Sequence, residues 1–323
     1  MNEKDQDKRD PLRPDKKNDN TYVPLDRRSF IKAGLGSAAA VTGLAAALSP
    51  LKDLQGRTTV DEMLQDHYER LTPDQMEAIL ERIQKKVKKD YGANVSVKDV
   101  KPMNGVEYAY ALNIGRCIGC RRCAYACMKE NNNSRSPELQ YIRVLEMKKG
   151  SLNVEHSEHY YDSETVPQEG KYYMPVQCHH CEKPPCTKVC PVRATWKEPD
   201  GIVVVDYDWC IGCRYCEAAC PYFARRFNFS KPVLSKEEIN PEMSYLGNRI
   251  RPKGVMEKCT FCLTRTRQGK NPACLEVCPT GSRVFGNLID KNSPINYILR
   301  EKRVYVLKEE LGTIPRFYYF FDK

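Results

Sequence analysis

Long apolar runs are almost missing from this chain of 323 residues. Apart from an Ala-rich stretch over Ala33–Leu48, nothing approaches the roughly 18 apolar residues that a membrane-crossing helix needs, and mean hydropathy is −0.62. No spanning helix is expected at the C-terminal end, so contact with a membrane would come through a partner or an uncleaved signal. Nucleotide-cradling loops are missing too: neither G-x-G-x-x-G nor a P-loop occurs. Only five histidines are present, and no nucleophile–base constellation can be argued from their positions. No Cys-x-x-Cys pair is followed by His, which excludes c-type haem attachment. Positive charge, by contrast, is abundant: 52 Lys and Arg against 42 Asp and Glu give +10. Alone, that charge suits a nucleic-acid partner; the 16 cysteines change the reading.

The N-terminal 47 residues read as an export signal. Residues 1–26 are polar and Pro-rich, and Asp26-Arg27-Arg28-Ser29-Phe30-Ile31-Lys32 then precedes the weakly apolar Ala33–Leu48. A paired Arg ahead of such a segment is the twin-arginine pattern, a route that exports folded proteins and suits a chain loaded with cofactors beforehand. Ala45-Ala46-Ala47 offers a cleavage site. Residues 48–105 are expected to form a helical extension. Thr59-Val60-Asp61-Glu62 and Thr72-Pro73-Asp74-Gln75 have capping-box form. Met76, Ile79, Leu80, Ile83 and Val87 share one helical face, and Gly92 can end the second helix.

Every cysteine falls into one of four runs. The first is Cys117-x2-Cys120-x2-Cys123-x3-Cys127, and the second is Cys178-x2-Cys181-x4-Cys186-x3-Cys190. The third is Cys210-x2-Cys213-x2-Cys216-x3-Cys220, and the fourth is Cys259-x2-Cys262-x11-Cys274-x3-Cys278. The last three runs are followed by Pro. Cys-Ile-Gly-Cys-Arg opens the first and third, and Cys-x-x-Val-Cys-Pro closes the second and fourth, so the chain repeats as A-B-A-B. Three thiolates at this spacing can wrap one face of an iron–sulfur cubane, and the fourth iron must be reached from elsewhere; in two-cluster ferredoxins the fourth Cys of each run ligates the other run's cluster. Gly119 and Gly212 would let the backbone hug a cluster. Zinc sites use separated CxxC pairs rather than three ligands in seven residues. CxxCxxC places thiols too close in sequence for unstrained disulfides. Iron–sulfur binding is therefore the reading of all four runs.

The positive charge then finds a use. Four thiolate-ligated cubanes bring roughly −8, and removing residues 1–47 leaves +8, so the loaded mature chain is expected near neutrality with no nucleic-acid partner. Arg116, Arg121, Arg122, Arg214, Arg225, Arg226, Lys258 and Arg265 lie near the runs in sequence as candidate counter-ions. His179 and His180, inside the second run, are expected in loop packing or solvent contact.

From Tyr108 to Phe321 the chain resembles the four-cluster iron–sulfur (beta) subunits of molybdopterin oxidoreductases and their polysulfide reductase and alternative complex III relatives. The resemblance rests on the four runs in order and on Gly201-Ile202-Val203-Val204-Val205-Asp206. It rests further on Gly254-Val255-Met256-Glu257-Lys258-Cys259, Cys278-Pro279-Thr280-Gly281, Val304-Tyr305-Val306-Leu307 and Leu311-Gly312-Thr313-x-Pro315. It implies four [4Fe–4S] clusters with shared ligands: Cys117, Cys120, Cys123 and Cys278 for cluster a, and Cys259, Cys262, Cys274 and Cys127 for cluster b. Cluster c would take Cys178, Cys181, Cys186 and Cys220, and cluster d Cys210, Cys213, Cys216 and Cys190. Where nitrate reductase has Trp and a three-iron cluster, this chain has Cys213, so four cubanes are implied.

The expected fold class is α+β: two ferredoxin-like 2[4Fe–4S] lobes, one inserted in the other, behind the helical extension. Residues 106–167 and 231–323 would form the outer lobe with runs 1 and 4, and 168–230 the inner lobe with runs 2 and 3. Short strands are expected at Tyr141–Met147 and Ile202–Val205. Four redox centres without catalytic apparatus make a wire. The chain is read as a non-catalytic, exported subunit at the periplasmic face, relaying electrons between a molybdopterin-type catalytic subunit and a multi-span quinone-reactive membrane subunit. A free-standing periplasmic polyferredoxin shuttle, or the iron–sulfur subunit of a hydrogenase-type or alternative complex III assembly, are the other readings.

Overall fold

The structure, a computed structural model, describes Tyr68 and residues 71–322. The twin-arginine motif, the Ala-rich stretch and most of the first expected helix lie outside the described residues. The architecture is α+β, built from short strands and, apart from three longer helices, single helical turns.

The longest described helix, α1 (Pro73–Tyr91), begins and ends where its sequence dictates. Thr72 Oγ1 accepts the Gln75 N–H and Gln75 Oε1 accepts the Thr72 N–H, closing the capping box. Gly92, at φ +69°, donates its N–H to the Lys88 carbonyl and stops the helix. Met76, Ile83 and Val87 are buried, with Ile79 and Leu80 packed beside them. The extension is not wholly helical: β1 (Ser96–Lys98) adds in parallel to β8 (Glu242–Ser244).

The main sheet is built on β2 (Tyr108–Asn113), buried throughout. It pairs antiparallel with β10 (Arg283–Asn287) and parallel with β12 (Phe317–Phe320), whose outer neighbour is β11 (Val304–Tyr305). Alternation along β2 sorts its two faces. Tyr110 and Leu112 join Phe317, Tyr319 and Phe261 in the main core, whereas Ala109 and Ala111 leave room for Ile295 and Ile298 of α7 (Pro294–Glu301).

The remaining strands form two-stranded ladders: β3 (Arg143–Lys148) with β4 (Lys171–Val176), β5 (Thr195–Lys197) with β6 (Val203–Val205), and β7 (Arg225–Phe227) with β9 (Met256–Lys258). The first and third runs carry α2 (Arg122–Glu130) and α4 (Tyr215–Ala218), the second α3 (Pro185–Lys188), and the fourth α5 (Leu263–Thr266) and α6 (Ala273–Glu276). In runs 2, 3 and 4 a one-turn helix leads to the last Cys, and a strand starts five residues after it, at Thr195, Arg225 and Arg283. No helix among the described residues is long and apolar enough to cross a membrane.

Candidate metal centres

The backbone repeats a single device at each run. The third residue of every Cys-x-x-Cys opening has positive φ: Gly119 (+75°), His180 (+42°), Gly212 (+71°) and Phe261 (+51°). Non-glycine residues resist this conformation by roughly 1–2 kcal/mol, so its recurrence at His180 and Phe261 marks a geometric demand. In run 4 the left-handed turn aims an N–H at sulfur: Phe261 donates to Cys259 Sγ at 3.4 Å. The Gly119 N–H does the same for Cys117, lowering that thiol against its burial. A second left-handed residue follows the last Cys by three positions in runs 2, 3 and 4, at Arg193, Phe223 and Gly281. The two run glycines are also required by the protein's own packing. A Cβ on Gly119 would lie 2.4 Å from the Tyr173 ring, and one on Gly212 would lie 2.1 Å from the Gly254 carbonyl; protein packing, as well as φ, excludes a side chain there.

All 16 cysteines are free thiols among the described residues. Cys117, Cys120, Cys123 and Cys278 line one cavity, joining run 1 to the end of run 4. Cys190, Cys210, Cys213 and Cys216 line another, joining run 3 to the end of run 2. The Cys127 thiol lies close enough to those of Cys262, Cys259 and Cys274 for them to raise it, and the Cys181 thiol stands in the same relation to Cys178, Cys186 and Cys220. Among the described residues no three Cys, His, Asp or Glu side chains converge as a single-ion site.

Burial dominates the electrostatics. It pushes Cys117, Cys181 and Cys259 up to about 12 and Cys216 to about 11, with neighbouring thiols adding to the effect. Cys278 goes the other way: despite burial, the hydroxyls and backbone of Ser282 and Thr280 hold it below its usual value. Buried thiols of this kind become thiolates when iron supplies the compensating charge. The donor set is sulfur only, arranged round cavities and furnished with N–H groups aimed at sulfur, and it fits iron–sulfur clusters.

Of the eight cations expected beside the runs, Arg225 and Lys258 are fully buried against them. Arg225 Nη2 donates to Cys186 Sγ at 3.0 Å and to Thr195 Oγ1 at 2.9 Å, and Lys258 Nζ donates to the carbonyls of Val203 and Cys259. Others point elsewhere: Arg214 pairs with Glu217 at 2.8 Å, Arg265 pairs with Glu130 and Glu276, and Arg226 binds backbone carbonyls. A ninth cation, Arg283, escaped the sequence reading. It is buried and lines the Cys117 cavity, donating to Gln177 Oε1 at 3.1 Å and to the Tyr110 hydroxyl at 3.4 Å. The signal was there: Arg283 follows Cys278 by five residues, as Arg225 follows Cys220.

The two histidines are buried, not in solvent contact. His179 packs on Tyr222 and Phe317, and burial pushes it down to about 3. His180 Nδ1 accepts the Val203 N–H at 2.9 Å, its ring 3.7 Å from that of Phe261; burial first, then Lys258, drives its pKa down. Both rings are therefore neutral.

Comparison with known proteins agrees with this chemistry. Two models described as a 4Fe-4S dicluster domain match, one over residues 116–194 and one over 170–243 and 245–288. The B subunit of selenate reductase from Mesobacillus selenatarsenatis is 35% identical over 91% of this chain and 96% of its own length. A Halobacterium salinarum protein, named as the iron–sulfur B subunit of a dimethyl sulfoxide reductase, is 42% identical over 66% of this chain and 78% of its own. The Hdr-like menaquinol oxidoreductase iron–sulfur subunit 1 of Archaeoglobus fulgidus is 39% identical over 66% and 82%. With four thiol runs, cavities lined by four cysteines each and these relatives, the chain belongs to the iron–sulfur beta-subunit family of the molybdopterin oxidoreductases and carries four [4Fe–4S] clusters.

Proposed function

We propose that the chain is an exported electron-transfer subunit, relaying electrons between a molybdopterin-type catalytic subunit and a quinone-reactive membrane subunit at the periplasmic face. A [4Fe–4S] cluster, when bound, accepts and releases one electron at a potential set by its surroundings. The chain's own residues would hold four of them as cluster a (Cys117, Cys120, Cys123, Cys278), b (Cys259, Cys262, Cys274, Cys127), c (Cys178, Cys181, Cys186, Cys220) and d (Cys210, Cys213, Cys216, Cys190). Clusters a and b would belong to an outer lobe (106–167 and 231–323), and c and d to an inserted lobe (168–230).

One observation carries the relay: thiols of successive sets are electrostatic neighbours from one end to the other. Cys123 of set a raises Cys274 and Cys127 of set b, Cys178 of set c raises Cys259 of set b, and Cys186 of set c raises Cys216 of set d. These neighbours support the order a–b–c–d, in which the exposed Cys213 belongs to the last set. Cysteines of sets a, b and c share one buried cluster with aromatic and aliphatic side chains, and Cys186 and Cys216 share another with Val203 and Met256. Export is supported by the twin-arginine motif at Arg27-Arg28, and the partners by relatives that are subunits of reductases.

Anaerobic purification from the native membrane tests the reading. About 16 iron and 16 acid-labile sulfide atoms per chain, with a catalytic and a multi-span subunit co-purifying from the periplasmic face, is the expected result. A zinc-only chain would refute it. A monomer holding four clusters but no stable partner would instead support the free shuttle.

A further inference from the structure

Arg225 and Arg283 occupy equivalent places in the internal repeat. Each stands five residues after the last Cys of its run, and each opens a strand, β7 and β10. Each is buried, and each lines the cavity of one thiol set: Arg225 with Cys190, Cys210, Cys213 and Cys216, and Arg283 with Cys117, Cys120, Cys123 and Cys278.

Each also reaches the neighbouring set. Arg225 donates to Cys186 Sγ at 3.0 Å and feels the Cys178 thiol. Arg283 donates to the Tyr110 hydroxyl, which lies 3.3 Å from Cys274 Sγ. Among the described residues neither has an ion-paired carboxylate. Arg225 Nε and Nη1 and Arg283 Nη2 are buried without a hydrogen-bond partner. Buried guanidinium groups left with spare donors are costly unless an anion sits beside them, and the groups on hand are thiols of two sets at once.

We infer that Arg225 and Arg283 are two copies of one tuning device, each a fixed cation between a pair of neighbouring clusters that raises the reduction potentials of both. Arg225 would act on clusters c and d, and Arg283 on a and b. Reduction adds one negative charge to a cluster. A buried cation within hydrogen-bonding reach of its ligands stabilises that charge more than it stabilises the oxidised state. Both arginines act through the thiolates and take no electron themselves. The inference rests on the ligand sets proposed above.

The test is anaerobic redox titration of the full chain, followed by electron paramagnetic resonance, with iron and sulfide counted in every preparation. Arg225→Gln, which keeps hydrogen-bonding groups but removes the charge, should lower two of the four potentials. At fixed ambient potential the reduced-to-oxidised ratio of each should fall about tenfold, equivalent to about 59 mV for a one-electron couple. Arg225→Lys should restore most of the shift. Arg283→Gln should lower the other two potentials and leave the first two in place. With four clusters retained, unchanged potentials, or the same pair moving in both Gln variants, would overturn the inference. If Arg225→Gln loses clusters, Arg283→Gln decides; cluster loss in both would show that the arginines only hold the fold, and would also overturn it. A wild-type chain without four clusters would instead defeat the ligand sets on which the inference stands.

Discussion

Substituting alanine at Gly212 separates two reasons for a glycine in the run-3 loop. The first is conformational: φ is +71°, which costs a non-glycine residue about 1–2 kcal/mol. The second is steric. The new Cβ would lie 2.1 Å from the Gly254 carbonyl oxygen and 3.1 Å from the Phe227 ring. Backbone cannot swing aside as a side chain can, and Gly254 is itself fixed by donating its N–H to the Asn228 carbonyl at 2.8 Å. Displacing it strains the lead-in to β9, at a cost of about 1–3 kcal/mol for forced overpacking. The total is about 2–5 kcal/mol, a large share of an ordinary domain's stability. Gly269 supplies the control: its φ is +76°, and a Cβ there meets nothing within 4 Å. Gly269→Ala should show the conformational cost alone. Urea unfolding of the anaerobic holoprotein, followed by cluster absorbance, measures both, and the gap should be about 1–3 kcal/mol. If the two variants fall within about 0.5 kcal/mol of each other, the close approach of Gly212 to Gly254 is not what the loop depends on.

Three further outcomes are expected. If the closing cysteines of runs 1 and 4 are exchanged as proposed, Cys278→Ser and Cys120→Ser should alter the same paramagnetic signal and Cys274→Ser a different one; identical effects from Cys278→Ser and Cys274→Ser would refute the exchange. The Tyr91 hydroxyl donates to the Pro232 carbonyl at 2.9 Å, and burial, then Asp90, pushes it up to about 12. Its contribution is complete below the unfolded value near 10 and is lost as pH rises from 10 through 12, so Tyr91→Phe should flatten the alkaline limb of stability in that window. Stripping the clusters with an iron chelator should abolish the near-ultraviolet circular dichroism and the cooperative unfolding transition; an apoprotein that keeps both would show that the fold does not need its metal.

Much of the scaffold was legible because it obeys short-range rules. The capping box at Thr72, the apolar face from Met76 to Val87 and the stop at Gly92 are local chemistry, and α1 follows them residue by residue. The spacing of the runs likewise told where thiols would gather. What the sequence concealed depended on the partner across space. The strand expected from Tyr141 begins at Arg143, where pairing with Val176 starts, and Tyr141 instead bonds Glu257 and Arg251 in a buried cluster. β1 is too short to declare itself and exists because β8, some 146 positions later, accepts it. The histidines read as loop residues because nothing local shows that Phe261, Phe317 and Tyr222 close over them.

The cations teach the same lesson with more consequence. A net charge of +10 suggested many counter-ions, yet charges at the surface are screened beyond roughly 8–10 Å, and Arg214 and Arg265 are engaged with carboxylates. Among the described residues three buried cations remain beside thiols, and their places are regular. Arg283 adjoins Cys117, Cys123 and Cys274, Lys258 adjoins Cys259, whose neighbours include Cys178, and Arg225 adjoins Cys178, Cys186 and Cys216. One cation thus stands near each of the three junctions in the proposed order a–b–c–d. Each begins or ends a strand, β10, β9 and β7, and β7 pairs with β9 so that Arg225 lies opposite Lys258. Two like charges placed across one ladder would repel in an empty interior. They are tolerable where the space around them is filled by thiolate-bound anionic clusters, and in this sense the backbone of the wire and its electrostatics are set by the same strands.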